Sequence, residues 1–232
     1  MGISILLPSI GRLNQLEKLL VKMLPEVEKN DADIILALTE EDSWNFSLPH
    51  KSIGVIITNT IGYWRCLNDL LHYNMPSNRL FMWTADDIEP HENWLSTALD
   101  AFHANFPDGL GIVALNDLHV RDATCGHAIS TKNFLEVMFG EPYFPNQFEH
   151  LFLDTLIANR AKDLGRFYFC EEAIAEHMHF HTGKVEQDET SRRNQVRARK
   201  GIGDKARKDL LDQEWINGGL EEARIRLDEE LS

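Results

Sequence analysis

The apolar positions of this chain follow two alternating patterns. Short continuous runs at 3–7, 33–38, 53–58, 79–84 and 110–115, several of them rich in Ile and Val, predict strands buried on both faces. Between several of these runs the period becomes that of a helix. Leu13, Leu16, Leu19, Leu20, Met23 and Leu24 make a stripe along one face, and Pro25 is expected to stop it. A second helix is expected over 63–72. A third runs from about 92 to 106 and turns Trp94, Leu95, Ala98, Phe102 and Phe106 inward. This alternation predicts an α/β domain with a mostly parallel central sheet flanked by helices.

After Leu115 the pattern loosens. A loop-rich stretch holds GEPYFPNQ, a helix is expected over about 148–164, Gly165 ends it, and a short strand follows at 167–169. The remaining tail is highly charged. It is basic at its start (Arg192, Arg193, Arg197, Arg199, Lys200) and acidic at its end (Glu221, Glu222, Asp228, Glu229, Glu230). It reads as two or three surface helices packed on the domain or partly mobile. The expected organisation is a domain over 1–190 and a charged helical extension over 191–232.

Composition narrows the class. A chain of 232 residues suits one large domain. No run approaches the roughly 20 apolar residues that span a bilayer. The run at 3–7 meets Pro8 at once and lacks a basic n-region and a cleavage site, so it reads as a strand and not a leader. The 23 basic and 37 acidic residues give a formal charge of -14, a surface that repels nucleic acid and anionic membrane unless a local basic patch overrides it. Cys66, Cys125 and Cys170 are scattered without a CxxC pair. They read as reduced thiols, and a cytoplasmic location is expected.

In open parallel α/β sheets ligands bind at the carboxyl ends of the strands. Residues 8–12 (PSIGR), 39–43 (TEEDS), 59–63 (NTIGY) and 85–90 (ADDIEP) follow four of the predicted strands. Asp86, Asp87 and Glu89 are the sharpest signal. Carboxylates this close repel each other unless a cation neutralises them, and Mg2+ or Mn2+ with oxygen ligands meets that need while leaving positions for a diphosphate. The same residues also suit a turn capping the next helix. In EHMHFH, His177, His179 and His181 share one face of an extended segment. They read either as metal or phosphate ligands or as an exposed polar edge. Asp154, four residues after His150, reads either as a general base or as a carboxylate favoured at a helix N-terminus. No GxGxxG, Walker loop, GxSxG or HExxH is present, so the chain lacks the usual marks of a Rossmann oxidoreductase, a P-loop enzyme or a serine hydrolase.

Taken in order, ISILLPSIGRLNQLEKLL, LALTEEDS, TNTIGYWRCLND, TADDIEPHENWL, FLDTLIANRAKDLGRFYF and EEAIAEHMHFHTGKVEQDET resemble the successive motifs of a family 2 glycosyltransferase of the GT-A fold, over about residues 3–190. The acidic motif departs from the family's Asp-x-Asp, since it reads Asp-Asp-x-Glu, and either Asp86 or Asp87 suits the main ligand. The resemblance implies that Pro8, Ser9 and Arg12 line the nucleotide pocket, with Glu40 or Asp42 near the base or ribose. It implies that Asn59, Gly62 and Asn68 flank the nucleotide and donor sugar. Asp87 would bind Mn2+ or Mg2+ with His177 or His179, Asp86 would lie on the ribose or sugar, and Asp154 would be the base of an inverting transfer.

The partners so implied are a nucleotide-diphosphate sugar and an acceptor hydroxyl, by default on a glycan or lipid-linked glycan. A nucleic-acid acceptor rests on the basic run alone. Two other readings stand beside this one. A metal-dependent hydrolase built on the 177–181 histidines predicts tightly bound zinc and no need of a nucleotide. A non-catalytic nucleotide-sugar-binding protein predicts no donor turnover.

Overall fold

The computed structural model describes residues 2–72, 76, 79–140, 143–148, 151–178, 192 and 202–232. Among the described residues eight strands form one sheet in the order β3-β2-β1-β4-β7-β6-β8-β5. β1 (Ile3–Pro8), β2 (Asp33–Leu38), β3 (Ile53–Ile57) and β4 (Leu80–Trp83) are parallel neighbours, with Leu6 facing Ile35 on one side and Trp83 on the other. β1, β2 and β4 are largely apolar because both faces are covered, whereas β3, at the sheet edge, leaves Val55 and Ile57 exposed, so the expectation of a strand buried on both faces is corrected there. Helices α1 (Leu13–Lys29) and α4 (Trp94–Asn105) pack over Ile3, Ile5, Leu7 and Met82. Helices α3 (Tyr63–His72), α5 (Lys132–Phe139) and α6 (Leu153–Asp163) pack over Leu6, Phe81, Trp83 and Ala128 on the opposite face.

The second half of the sheet is mixed. β6 (Ile112–Asn116) and β8 (Phe167–His177) are parallel, but β7 (Ala128–Thr131) runs antiparallel to both β4 and β6, and β5 (Ile88–Pro90) runs antiparallel to β8. Four of the seven strand pairings among the described residues are parallel, so the sheet is mostly parallel as expected, and the antiparallel pairs are those made by β5 and β7. β5 and β7 have three and four residues and no apolar run of their own. Their neighbours supply the pairing. β8 outruns the strand expected at 167–169 because an irregularity between Leu115 and Asn116 shifts its register across Glu171 and Glu172 and resumes pairing at Ile174. It therefore carries the chain to His177, opposite Ile88.

Three helix boundaries also differ from the reading above. Pro25 lies inside α1 rather than ending it. Proline leaves the carbonyl four residues back without a helical donor. That carbonyl belongs to Val21, an exposed residue, while the following turn buries Val27. The TEEDS turn is the short helix α2 (Glu40–Asn45), with Thr39 as its N-cap and its acidic residues at the positive end of the dipole. Helix α6 begins at Leu153, after residue 150, and His150 lies outside the described residues.

The tail holds α7 (Ile202–Glu214), a π-helical turn at Trp215–Gly219 kinked at Gly218, and α8 (Leu220–Leu231). Trp215 Nε1 donates to Asp163 Oδ2 at 3.0 Å, and Arg226 Nε donates to Val137 O at 2.9 Å. Among the described residues no helix is long and apolar enough to cross a membrane.

Candidate active site

The sheet brings the ends of β1, β4 and β8 to one rim. Ser9, just past β1, donates from Oγ to Asp86 Oδ2 at 2.6 Å, and Arg12 Nη1 donates to Asp86 Oδ1 at 2.9 Å. Gln15, on the first turn of α1, donates from Nε2 to the Asp86 carbonyl at 2.9 Å. The first loop thus fixes the acidic pair. Burial pushes the Asp86 carboxyl up, Asp87 adds to this, and Arg12 and Ser9 only partly offset it.

Asp87 behaves differently. Burial raises its carboxyl too, but His177, Arg12 and His127 outweigh this and hold it below the usual carboxylate range. Its Oδ2 lies 3.5 Å from Arg12 Nη1. Its Oδ1 lies 3.5 Å from His177 Nε2, yet this oxygen is buried and accepts no hydrogen bond among the described residues. The backbone locks the two segments together, since the Met178 N–H donates to the Asp87 carbonyl at 2.8 Å and the His177 N–H to the Asp117 carbonyl at 3.0 Å. Burial lowers the His177 pKa, but Asp87 and Asp117 more than reverse this and raise it. His127, fully enclosed, is pushed down to about 4 by burial and by His177.

An orphaned buried carboxylate oxygen beside an imidazole nitrogen is a donor set suited to Mn2+ or Mg2+. The residues present fit such an ion. Among the described residues no three His, Cys, Asp or Glu side chains converge on one point. Asp87 and His177 are the two described side chains that fit. His179 and His181 lie outside the described residues.

Asp154 sits in the first turn of α6 and shares a cavity of about 300 Å³ with Asp87 and His177. Burial raises its carboxyl pKa; N–H groups of the helix start and the Thr124 hydroxyl oppose the shift without cancelling it. Its neighbours in the cavity wall include Tyr63, Asp117 and His127. The Tyr63 hydroxyl donates to the Thr84 carbonyl at 3.0 Å, which anchors α3 to the end of β4.

The other residues named from the sequence fall in several places. Pro8 ends β1 and is buried. Asp42 Oδ2 accepts the Gly11 N–H and the Thr39 hydroxyl, each at 2.9 Å, and lines a groove of about 540 Å³ with Gly11, Arg12 and Gln15. Glu40 is exposed on the first turn of α2, and Asn59 is exposed in the loop after β3. Gly62 is buried at φ 109°, a left-handed turn into α3 that disfavours a side chain. Asn68 is enclosed and committed elsewhere. Its Nδ2 donates to Phe144 O at 2.7 Å and Asn146 Oδ1 at 2.8 Å, while its Oδ1 accepts the Phe144 N–H at 2.9 Å. It clamps a loop.

Gln15, Asp117 and His127 belong to the site without having been singled out. Asp117 directly follows β6, so the strand-end rule applied to β6 finds it. His127 enters through β7, whose reversed direction no local pattern announces.

No protein-family model matches the chain, and a search of the curated proteins finds no match. Solved structures do match. The mannosyltransferase of Pyrobaculum calidifontis, in complex with GDP-mannose and Mn2+, aligns over 75% of this chain and 56% of its own, with 14% identity and a TM-score of 0.57. This chain thus spans little more than half the length of that protein. A mutant of the Drosophila β1,4-galactosyltransferase 7, in complex with manganese, UDP-galactose and xylobiose, aligns over 81% of this chain and 75% of its own, with 14% identity and a TM-score of 0.53. Glucosyl-3-phosphoglycerate synthase from Mycobacterium tuberculosis, with Mn2+, UDP-glucose and phosphoglyceric acid, aligns over 76% of this chain and 71% of its own, with 13% identity and a TM-score of 0.51. The likeness is one of fold, and the fold of this chain is GT-A.

Proposed function

We propose that this chain is a metal-dependent glycosyltransferase of the family 2 type, which moves a sugar from a nucleotide-diphosphate sugar to an acceptor hydroxyl. The observation that carries the reading is the cavity itself. It joins Asp87, whose buried Oδ1 makes no hydrogen bond among the described residues and lies 3.5 Å from His177 Nε2, to another carboxylate, Asp154, whose pKa is moved the opposite way. Two carboxylates separated in this manner suit two different tasks. The GT-A fold and the manganese and sugar nucleotides named with its structural neighbours support the same assignment.

In this reading the nucleotide lies against the first loop, where Gly11, Arg12 and Asp42 border the groove. Pro8 and Ser9 form the floor. Ser9 and Arg12 hold Asp86 toward the ribose or sugar. Gly62 keeps the turn at the other edge free of a side chain. Asp87 and His177, with His179 from the same segment, would hold Mn2+ or Mg2+. When bound, the ion offsets the charge that builds on the leaving diphosphate. Asp154 removes the proton from the acceptor hydroxyl as that oxygen attacks the anomeric carbon from the face opposite the leaving group, so the configuration inverts. The unit division at about residue 190 and a reducing, cytoplasmic setting belong to the same proposal, the latter supported by three buried free thiols.

The test is Asp154→Asn. It removes the base and leaves the donor site intact, so sugar-nucleotide binding stays within about twofold while transfer falls by about 10²–10⁴. Retained turnover removes Asp154 from the role. The acceptor class follows from a product screen of the wild type against simple glycans, lipid-linked glycans and nucleic acid.

A further inference from the structure

Two polar groups in the cavity have no task in the reading above. Asp117 is 6% exposed, and its Oδ1 accepts the backbone N–H groups of His119, Val120 and Arg121 at 2.8, 2.9 and 3.1 Å. None of these N–H groups goes to its Oδ2, and Asp117 lines the cavity. His127 is 5% exposed and lines the same cavity. Its Nδ1 lies 3.1 Å from Thr84 Oγ1.

The tautomer of His127 follows from Thr84. That side chain is fully buried, and the imidazole is the one described partner of its hydroxyl. A buried hydroxyl without an acceptor is costly, so it donates to Nδ1. Nδ1 then carries no hydrogen and Nε2 does. A cationic ring would also bear a hydrogen on Nε2, so in either state this nitrogen offers an N–H.

We propose that Asp117 Oδ2 and His127 Nε2 form an acceptor–donor pair that grips a hydroxyl of the transferred sugar. A hydroxyl donates one hydrogen and accepts others, so it satisfies both groups at once. A phosphate oxygen accepts only and is repelled by Asp117. The pair shares its cavity with Asp87 and His177, proposed for the diphosphate end, and with Asp154, proposed for the acceptor end. The group between those two is the sugar. A volume of about 300 Å³ is at the small end of ligand sites and suits one sugar unit better than a whole nucleotide.

This inference rests on the glycosyl-transfer reading, and the test separates the two. Affinities are measured with Mn2+ for UDP and GDP, and for UDP-glucose, UDP-galactose and GDP-mannose, on the wild type and Asp117→Asn. Asparagine keeps an oxygen for the three N–H groups and replaces Oδ2 with a donor. The expected result is an unchanged nucleotide affinity and a loss of about fivefold or more in the extra affinity that the sugar confers. Sugar-dependent affinity that survives in Asp117→Asn overturns the proposal. So does a parallel loss for nucleotide and sugar nucleotide, which would mark Asp117 as a support of the loop. If Asp117→Asn does not fold, His127→Phe is held to the same two criteria. A wild type that binds neither UDP nor GDP defeats the glycosyl-transfer reading itself, and this inference with it.

Discussion

Asp87 and Asp154, two of the three aspartates lining the cavity, differ through their surroundings. Both are half-buried, and burial pushes both upward. Asp87 faces His177, Arg12 and His127 and is held ionised, while Asp154 has no cation among its principal neighbours and stays raised. A base works only as the anion, and a raised pKa keeps the protonated form to higher pH. Turnover is therefore expected to fall as the pH drops through a value above the roughly 3.9 of a free aspartate. A kcat–pH profile measured on the wild type checks this, and a rate that holds down to the ordinary aspartate range contradicts it. Asn68 makes a second prediction. Replacing it with alanine strands the Phe144 backbone groups, at about 1–3 kcal/mol for each group left unsatisfied. Chemical denaturation of Asn68→Ala should show that loss of stability. Nucleotide affinity should be unchanged once the protein is folded, whereas a selective loss of affinity would return Asn68 to the donor site.

At the level of elements, much of the sheet was legible in the sequence. β1, β2, β3, β4 and β6 are buried or half-buried apolar runs long enough to declare themselves. β5 and β7 were not legible, because IEP and AIST become strands only when β8, β4 and β6 lie beside them. The same limit governed the site. Asp86, Asp87, Asp154 and His177 stood out as chemical types in telling positions, but the pairing of β5 with β8 is what seats His177 over Asp87. His127 depended on β7 and could not be placed. Pro25 shows a local rule overridden by packing: the turn beyond it buries Val27, and Val21, whose carbonyl loses its helical donor, is an exposed residue. Pro25→Ala restores that N–H on an exposed face. It should stabilise the fold by about 1–3 kcal/mol, after allowing for the freedom alanine returns to the unfolded chain. A lower melting temperature for this variant contradicts the account of α1.

Across the whole molecule, the charged tail is part of the packing that supports the site. Arg160, on the helix that carries Asp154, is 7% exposed and lies between the rings of Phe139 and Trp215, 4.7 and 4.6 Å from their centroids. Its Nη1 and Nη2 donate to Met138 O and Leu211 O, each at 3.2 Å, so it closes the ends of α5 and α7 together. Trp215→Ala removes one of these rings and the bond to Asp163, and is expected to cost about 3–5 kcal/mol. Thermal unfolding of that variant checks the packing, and a change within about 0.5 kcal/mol would show the tail to be an ordinary surface appendage. We infer that this chain binds a nucleotide diphosphate, laid against the first-loop groove, through a divalent ion held by Asp87. Calorimetric titration of UDP and GDP, with and without Mn2+, on the wild type and Asp87→Ala tests it most directly. Binding of at least one nucleotide is expected to require Mn2+ and to be lost in Asp87→Ala; equal affinity with and without the metal, undisturbed by the substitution, would overturn this reading.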